Sequence, residues 1–256
     1  MNFCIYGLGS TGTSVVNYFK RKNFLDYVVW DDNMKKKKKI FFSKHLDTAD
    51  YIVLSPGISL RKSKLKKKLI KNKNKIITDL DLFYLFNPKI KTIVVTGTNG
   101  KSTTCKILEH VLKKNKINVK LGGNIGKPVL DLDLKNKPLV IIEASSFQLA
   151  YSQFIRPDYA AILNISNDHL DWHGSMKQYI DSKFKIFLNQ KNNNFALLNN
   201  KTLVRKFKKE KYQSKLKFIG TQKYENVKNK VKNYYLSSES NVENMSYVYA
   251  ISKILK

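Results

Sequence analysis

The residues with the plainest chemical purpose are Gly97, Thr98, Asn99, Gly100, Lys101, Ser102 and Thr103. They follow the β-branched run Ile93-Val94-Val95-Thr96 and precede a pattern that puts Ile107, Leu108, Val111 and Leu112 on one helix face. The order is strand, glycine loop, helix. Glycines let backbone N–H groups approach an anion without Cβ interference, and the helix that follows presents its positive end. In such a loop Lys101 reaches a terminal phosphate and Ser102 coordinates Mg2+, which reads as a nucleoside triphosphate site. One position departs from the usual G-x-x-x-x-G-K-[ST] spacing, because Val95 stands where the first glycine belongs. A bare Gly-Lys-Ser-Thr also occurs as an ordinary helix start; two glycines between a clean strand and a clean helix favour the phosphate reading.

Three further strand ends carry useful groups. Val119–Leu121 runs into Gly122-Gly123-Asn124-Ile125-Gly126, Leu139–Ile142 ends at Glu143, and Tyr159–Leu163 ends at Asn164 with Asp168-His169-Leu170-Asp171 just beyond. Alternating strand and helix patterns imply parallel strands, whose carboxyl ends share one edge of the sheet. Lys101, Asn124, Glu143 and His169 then converge beside the phosphates. Alone, Glu143 reads equally well as a helix cap and His169 as a turn histidine; together, a metal and a triphosphate account for all four. The pattern Met176–Gln190 predicts a helix with Met176, Tyr179, Ile180, Phe184 and Phe187 inward, and Lys183 lies within that stripe while Lys177 and Lys185 point away. An inward lysine must snorkel, pair with an acid, or lose its proton.

The elements that position these groups form two α/β units. Phe3–Tyr6 predicts a buried strand, followed by the G-x-G-x-x-G run Gly7-Leu8-Gly9-Ser10-Thr11-Gly12 and a helix carrying Val15, Val16 and Phe19. A second strand, Tyr27–Trp30, ends at Asp31, where dinucleotide folds place a ribose-binding acid. That combination predicts a nucleotide-type ligand, with a ligand-free tight turn as the plainer alternative. A third strand, Tyr51–Leu54, leads into Ser55-Pro56-Gly57, and Ile76–Asp79 is a short strand. Asn87-Pro88 breaks the pattern and puts the domain boundary near residue 88. Strands at 195–199 and 217–219 and a closing helix bearing Asn241 and Asn244 on one face complete the chain.

Composition narrows the class. The chain has 256 residues with 42% hydrophobic content, enough for a real core. Its formal net charge of +29 invites a nucleic-acid reading, but the excess is Lys spread along the chain, and Arg21, Arg61, Arg156 and Arg205 are its only four arginines. The run Lys35–Lys39 reads as a solvated loop. Cys4 and Cys105 are isolated, which fits a reducing compartment, and no stretch approaches a membrane span or carries a basic leader, so the expectation is cytoplasmic.

The phosphate loop, Gly122–Gly126, Glu143 with Ser145-Ser146-Phe147-Gln148-Leu149, and Asn167-Asp168-His169-Leu170-Asp171 resemble the Mur ligases of peptidoglycan synthesis. The glycine-rich first unit and the Ser-Ser-Phe-Gln-Leu stretch match the branch that adds D-glutamate, over nearly the whole chain. The resemblance implies a small Rossmann-like N-terminal domain (1–88) that binds the UDP-substrate and a larger P-loop-type central domain (89–256) with a mainly parallel sheet that binds ATP. It implies amide formation in which the carboxylate of UDP-N-acetylmuramoyl-L-alanine takes the γ-phosphoryl group of ATP and the amine of D-glutamate displaces phosphate.

By position in the motifs, Gly97–Thr103 with Lys101 would hold ATP, Asn241 and Asn244 the adenine region, and Ser102 one Mg2+. Glu143, His169 and a carbamylated Lys183 would serve a second ion. Gly9, Ser10, Thr11, Asp31, Pro56, Gly57, Asn124 and Ser145 would hold the UDP-substrate. The family's uracil pocket has Asp-Thr-Arg where this chain has Asp31-Asp32-Asn33, and its Gly-x-His-Asn-x-x-Asn appears as Ser238-Glu239-Ser240-Asn241-Val242-Glu243-Asn244. Set against the family, the chain is expected to lack the C-terminal ligase domain, to be a fragment that ligates poorly alone, and to be a monomer without nucleic-acid or membrane partners. Rival readings are another Mur-type or folylpolyglutamate-type ligase, a non-catalytic nucleotide-binding protein, and a basic nucleic-acid module.

Overall fold

The computed structural model describes residues 1–255. The expected domain limit at Lys256 lies outside them. The first sheet comprises β1 (Phe3–Tyr6), β2 (Tyr27–Trp30), β3 (Tyr51–Leu54) and β4 (Ile76–Ile77), all parallel in the order β2-β1-β3-β4. Parallel strands need crossovers, supplied by α1 (Ser10–Arg21), α2 (Lys36–His45) and α3 (Lys66–Lys71). The helices cover both faces, so β1 is apolar at every position and its residues are at most 2% exposed. Val15 and Phe19 of α1 are fully buried in the core.

After α4 (Asp79–Phe86) the chain enters the second sheet, also parallel, in the order β10-β9-β8-β5-β7-β6. Its strands are β5 (Thr92–Thr96), β6 (Val119–Gly123), β7 (Leu139–Glu143), β8 (Tyr159–Ile162), β9 (Phe195–Leu198) and β10 (Lys215–Phe218). Around them lie α5 (Lys101–Lys114), α6 (Ser146–Tyr151), α7 (Leu170–His173), α8 (Met176–Phe184), α9 (Lys201–Lys209), α10 (Gln222–Lys228), α11 (Tyr234–Ser237) and α12 (Val242–Ile254). The register sets Val95 beside Glu143 and Glu143 beside Gly123, so β5, β6 and β7 end level with one another.

Four expectations change. Lys36–Lys39 form the first turn of α2 and not a solvated loop, because lysine is a good helix former and Phe42, fully buried, anchors the turn that follows. The strand expected at 76–79 stops at Ile77: Thr78 N–H donates to Asp81 Oδ2 (2.9 Å), an N-terminal cap that starts α4 at Asp79. The helix expected over 176–190 ends at Phe184 and continues as a 3-10 turn, Lys185–Phe187. Lys185, at that change of pitch, does not point away; its ammonium donates to the carbonyl of Ala150 (2.6 Å).

Polar contacts tie the two sheets together. Gln148 Nε2 donates to both oxygens of Asp79 (3.2 and 3.3 Å), and the buried Asp81 accepts from the backbone N–H groups of Gln153 and Phe154 (2.9 and 2.7 Å). No helix among the described residues is long and apolar enough to cross a membrane.

Candidate active site

The phosphate loop leaves central strand β5 and closes at Gly100, which caps α5 with φ +79°, a conformation that glycine adopts without steric cost. Asn164, at the end of β8, brackets the loop: its Oδ1 accepts from Asn99 N–H (2.9 Å), its carbonyl from Thr98 N–H (3.0 Å), and its Nδ2 donates to Asn99 O (3.2 Å). Thr98 Oγ1 also meets Tyr179 OH (3.0 Å). Lys101 folds back so that Nζ donates to Thr98 O (2.7 Å).

Glu143 ends β7 beside this loop and is 1% exposed. Its Oε2 accepts from Ser102 Oγ (2.8 Å) and its Oε1 from Asn124 Nδ2 (3.0 Å). Both partners are neutral, and no ion pair among the described residues reaches this carboxylate. A buried carboxylate beside a hydroxyl, without a cation, is an oxygen donor set that suits Mg2+, which takes one or two carboxylates and fills its shell with phosphate oxygens and water. The fit is partial in composition: among the described residues no three His, Cys, Asp or Glu side chains cluster closely enough to hold a metal by themselves.

Lys183 is 1% exposed and its Nζ donates to Gly97 O (2.8 Å) while lying 4.6 Å from the centre of the Tyr179 ring. Burial, and then the charge of Lys101, push its amine down to about 7. His169 adopts φ +53° at the start of α7, packs on Phe147 (4.6 Å between ring centres) and meets Asp168 Oδ2 at 3.3 Å. The structure thus joins Ser102, Glu143 and Asn124 directly and Lys183 to the loop, whereas His169 reaches the group through Phe147 and the Tyr179 ring.

Gly9, Ser10, Thr11, Asp31, Pro56, Gly57 and Asn124 line one cavity of about 430 Å3 between the carboxyl edges of the two sheets. Asp31 Oδ2 accepts from Leu8 N–H (2.8 Å), and this bond, with that from Asn33 N–H, holds its carboxyl below the usual range. Ser145 does not line the cavity; its hydroxyl caps α6 in an exchange with Gln148, and Gln148 takes the place on the wall. Asn241 and Asn244 also have internal partners: Asn244 Nδ2 donates to Asn241 Oδ1 (3.1 Å), Thr104 Oγ1 donates to Asn244 Oδ1 (3.2 Å), and Asn241 Nδ2 donates to Tyr235 O (2.9 Å).

Three builders of the site escaped the sequence reading. Asn164 and Tyr179 were visible as a strand end and a stripe residue without a role. His173 is 4% exposed, pairs through Nε2 with Ser146 Oγ (3.0 Å), lies parallel to Phe147, and is pushed down to about 4 by burial and then by Lys183. Its spacing of four from His169 was the available signal.

Residues 95–254 match the Mur ligase middle domain and residues 1–78 the N-terminal domain of MurD-like Mur ligases. The chain is 38% identical over 200 residues to the UDP-N-acetylmuramoylalanine--D-glutamate ligase of Aquifex aeolicus (strain VF5), covering 78% of this chain and 47% of the relative. It is 39% identical over 197 residues to the enzyme of that name from Wolbachia pipientis wMel (72% and 38%), and 38% identical over 208 residues to that of Rickettsia prowazekii (strain Madrid E) (76% and 45%). The chain thus spans less than half the length of these curated relatives. The crystal structure of UDP-N-acetylmuramate:L-alanyl-gamma-D-glutamyl-meso-diaminopimelate ligase from Neisseria meningitides shares the fold, with a TM-score of 0.51 at 15% identity over 84% of this chain and 77% of that one. With its middle-domain match alone spanning more than half of its residues, the chain belongs to the Mur ligase family.

Proposed function

We infer that this chain carries the ATP site and the UDP-substrate site of an ATP-driven ligase that joins D-glutamate to UDP-N-acetylmuramoyl-L-alanine in peptidoglycan synthesis, through an acyl phosphate. The observation that carries the reading is the buried Glu143, which bonds a phosphate-loop hydroxyl with one oxygen and the cavity residue Asn124 with the other. A single carboxylate thereby links the nucleotide end to the substrate end.

In this reading residues 1–88 hold the UDP part through the Gly9–Thr11 loop, Asp31 and the Pro56-Gly57 turn. Residues from 89 onward hold ATP. Backbone N–H groups of Gly97–Thr103 and the positive end of α5 receive the phosphates, and Lys101, released from Thr98 O, swings to their terminal oxygens. Asn244 serves the nucleotide by bracing Gly100 and Thr104 from behind, and Asn241 holds Asn244 in place. Ser102 and Glu143 would hold one Mg2+, and Glu143, His169 and Lys183 a second. When bound, Mg2+ would offset the charge of the phosphate oxygens. An amine lowered to about 7 has a substantial neutral fraction near neutral pH, and the neutral amine adds CO2 and releases a proton to become a carbamate, which gives Lys183 a route to an anionic ligand. Asn124, on the cavity wall, orients the acceptor carboxylate.

Calorimetry on the chain tests the reading: MgATP and UDP-N-acetylmuramoyl-L-alanine should each bind, and Lys101→Ala should abolish only the first. Failure of both ligands to bind would refute it.

A further inference from the structure

On the first sheet, α2 buries Phe42 and turns Lys36, Lys37, Ile40, Phe41 and Lys44 outward. Spacings of three, four and seven residues put these five side chains on one helix face. Ile40 is 60% exposed and Phe41 57%; the Phe41 ring packs on His45, 4.2 Å between ring centres. Among the described residues none of Lys35–Lys39 or Lys44 forms an ion pair. The pattern recurs alongside: Lys68 of α3 donates to Ser43 O of α2 (2.6 Å) and pairs with Asp47 (3.1 Å), and α3 leaves Ile70 49% exposed among Lys66, Lys67 and Lys71.

We propose that this face docks reversibly on an anionic lipid bilayer, with Ile40 and Phe41 entering the headgroup layer and the surrounding lysines meeting lipid phosphates. A merely solvated basic helix gains nothing from a bare isoleucine and phenylalanine, whereas an interfacial helix needs both parts: apolar side chains to leave water and lysine stems long enough to keep their ammonium groups at phosphate level. Charge complementarity selects the anionic surface, since each lysine near it strengthens binding about fivefold. A nucleic acid would use the charge but not the apolar pair. Among the described residues no helix is long and apolar enough to cross a membrane, and the attachment proposed is peripheral. The proposal goes beyond the ligase reading and does not depend on it.

The test is co-sedimentation of the chain with phosphatidylcholine vesicles, with and without phosphatidylglycerol. The expected result is binding only to the phosphatidylglycerol vesicles. Ile40→Ser with Phe41→Ser should weaken it about tenfold or more, since each side chain leaves water on docking. Lys36→Gln, Lys37→Gln and Lys44→Gln together should weaken it about a hundredfold, at about fivefold per lysine. All five positions are exposed, so circular dichroism and the unfolding midpoint should match the parent chain. Three results would each overturn the proposal: no vesicle binding, vesicle binding indifferent to the Ile40 and Phe41 changes, or equally tight binding to duplex DNA that the same apolar changes weaken.

Discussion

Lys183 Nζ donates to the carbonyl oxygen of Gly97 over 2.8 Å, so an amine carried by α8 is fastened to the first glycine of the phosphate loop. Burial and Lys101 lower that amine to about 7, against about 10.4 in an unfolded chain. Between those values the unfolded chain holds more protons than the folded one, so the cost of burying the amine is full below about pH 7 and is relieved as pH rises toward 10. Lys183→Met should remove this rise in stability, measured as the difference between variant and parent in urea unfolding from pH 6.5 to 9.5. Parallel curves would contradict the assignment.

Glu143→Gln keeps the side-chain shape but removes the charge and turns one of the two acceptor oxygens into a donor, so it can accept from only one of Ser102 and Asn124. ATP binding in the presence of Mg2+ should weaken about tenfold or more, by analogy with the loss of a charge-assisted contact, while binding in EDTA changes little. Isothermal titration with and without Mg2+ reads the difference.

Asp81 accepts from three backbone N–H groups and the Thr78 hydroxyl in a fully buried position. Asp81→Ala strands those donors and should cost about 3 kcal/mol in chemical denaturation. Burial pushes both Asp79 and Asp81 up to about 6, above their unfolded value. The folded chain therefore holds protons that the unfolded chain has released, and stability from this pair falls as pH rises from about 4 to about 6. Asp79→Asn should flatten that fall, which unfolding midpoints across the window will show.

At Gly100 a Cβ would collide with the side chain of Asn244, and φ is +79°. Gly100→Ala should cost about 2 kcal/mol from backbone strain and displaced packing, and should weaken ATP binding because the loop and its brace move together. Calorimetric unfolding and nucleotide titration check the two effects separately.

What the sequence determined by itself was local and periodic: the apolar runs of β1, β5, β7 and β8, the glycine loops that end them, and the inward face that includes Lys183. These follow from strand and helix periods and from the special backbone of glycine, which are properties of neighbouring residues. Tertiary structure decided what depends on partners far apart in the chain. Asp81 is held in the interior by the backbone of Gln153 and Phe154, and Lys36–Lys39 are helical because Phe42 has a core to enter, whereas the Thr78–Asp81 cap that starts α4 is a local contact that the strand expectation passed over. Ser145, Asn241 and Asn244, chosen as ligand contacts from their motifs, are engaged inside the protein, since a hydroxyl or amide goes to whichever donor or acceptor the fold brings within about 3 Å. A convergence of Lys101, Asn124, Glu143 and His169 was expected from parallel strands, but that Ser102 and Asn124 are the residues bonded to Glu143, each on its own oxygen, required the register of β5, β6 and β7.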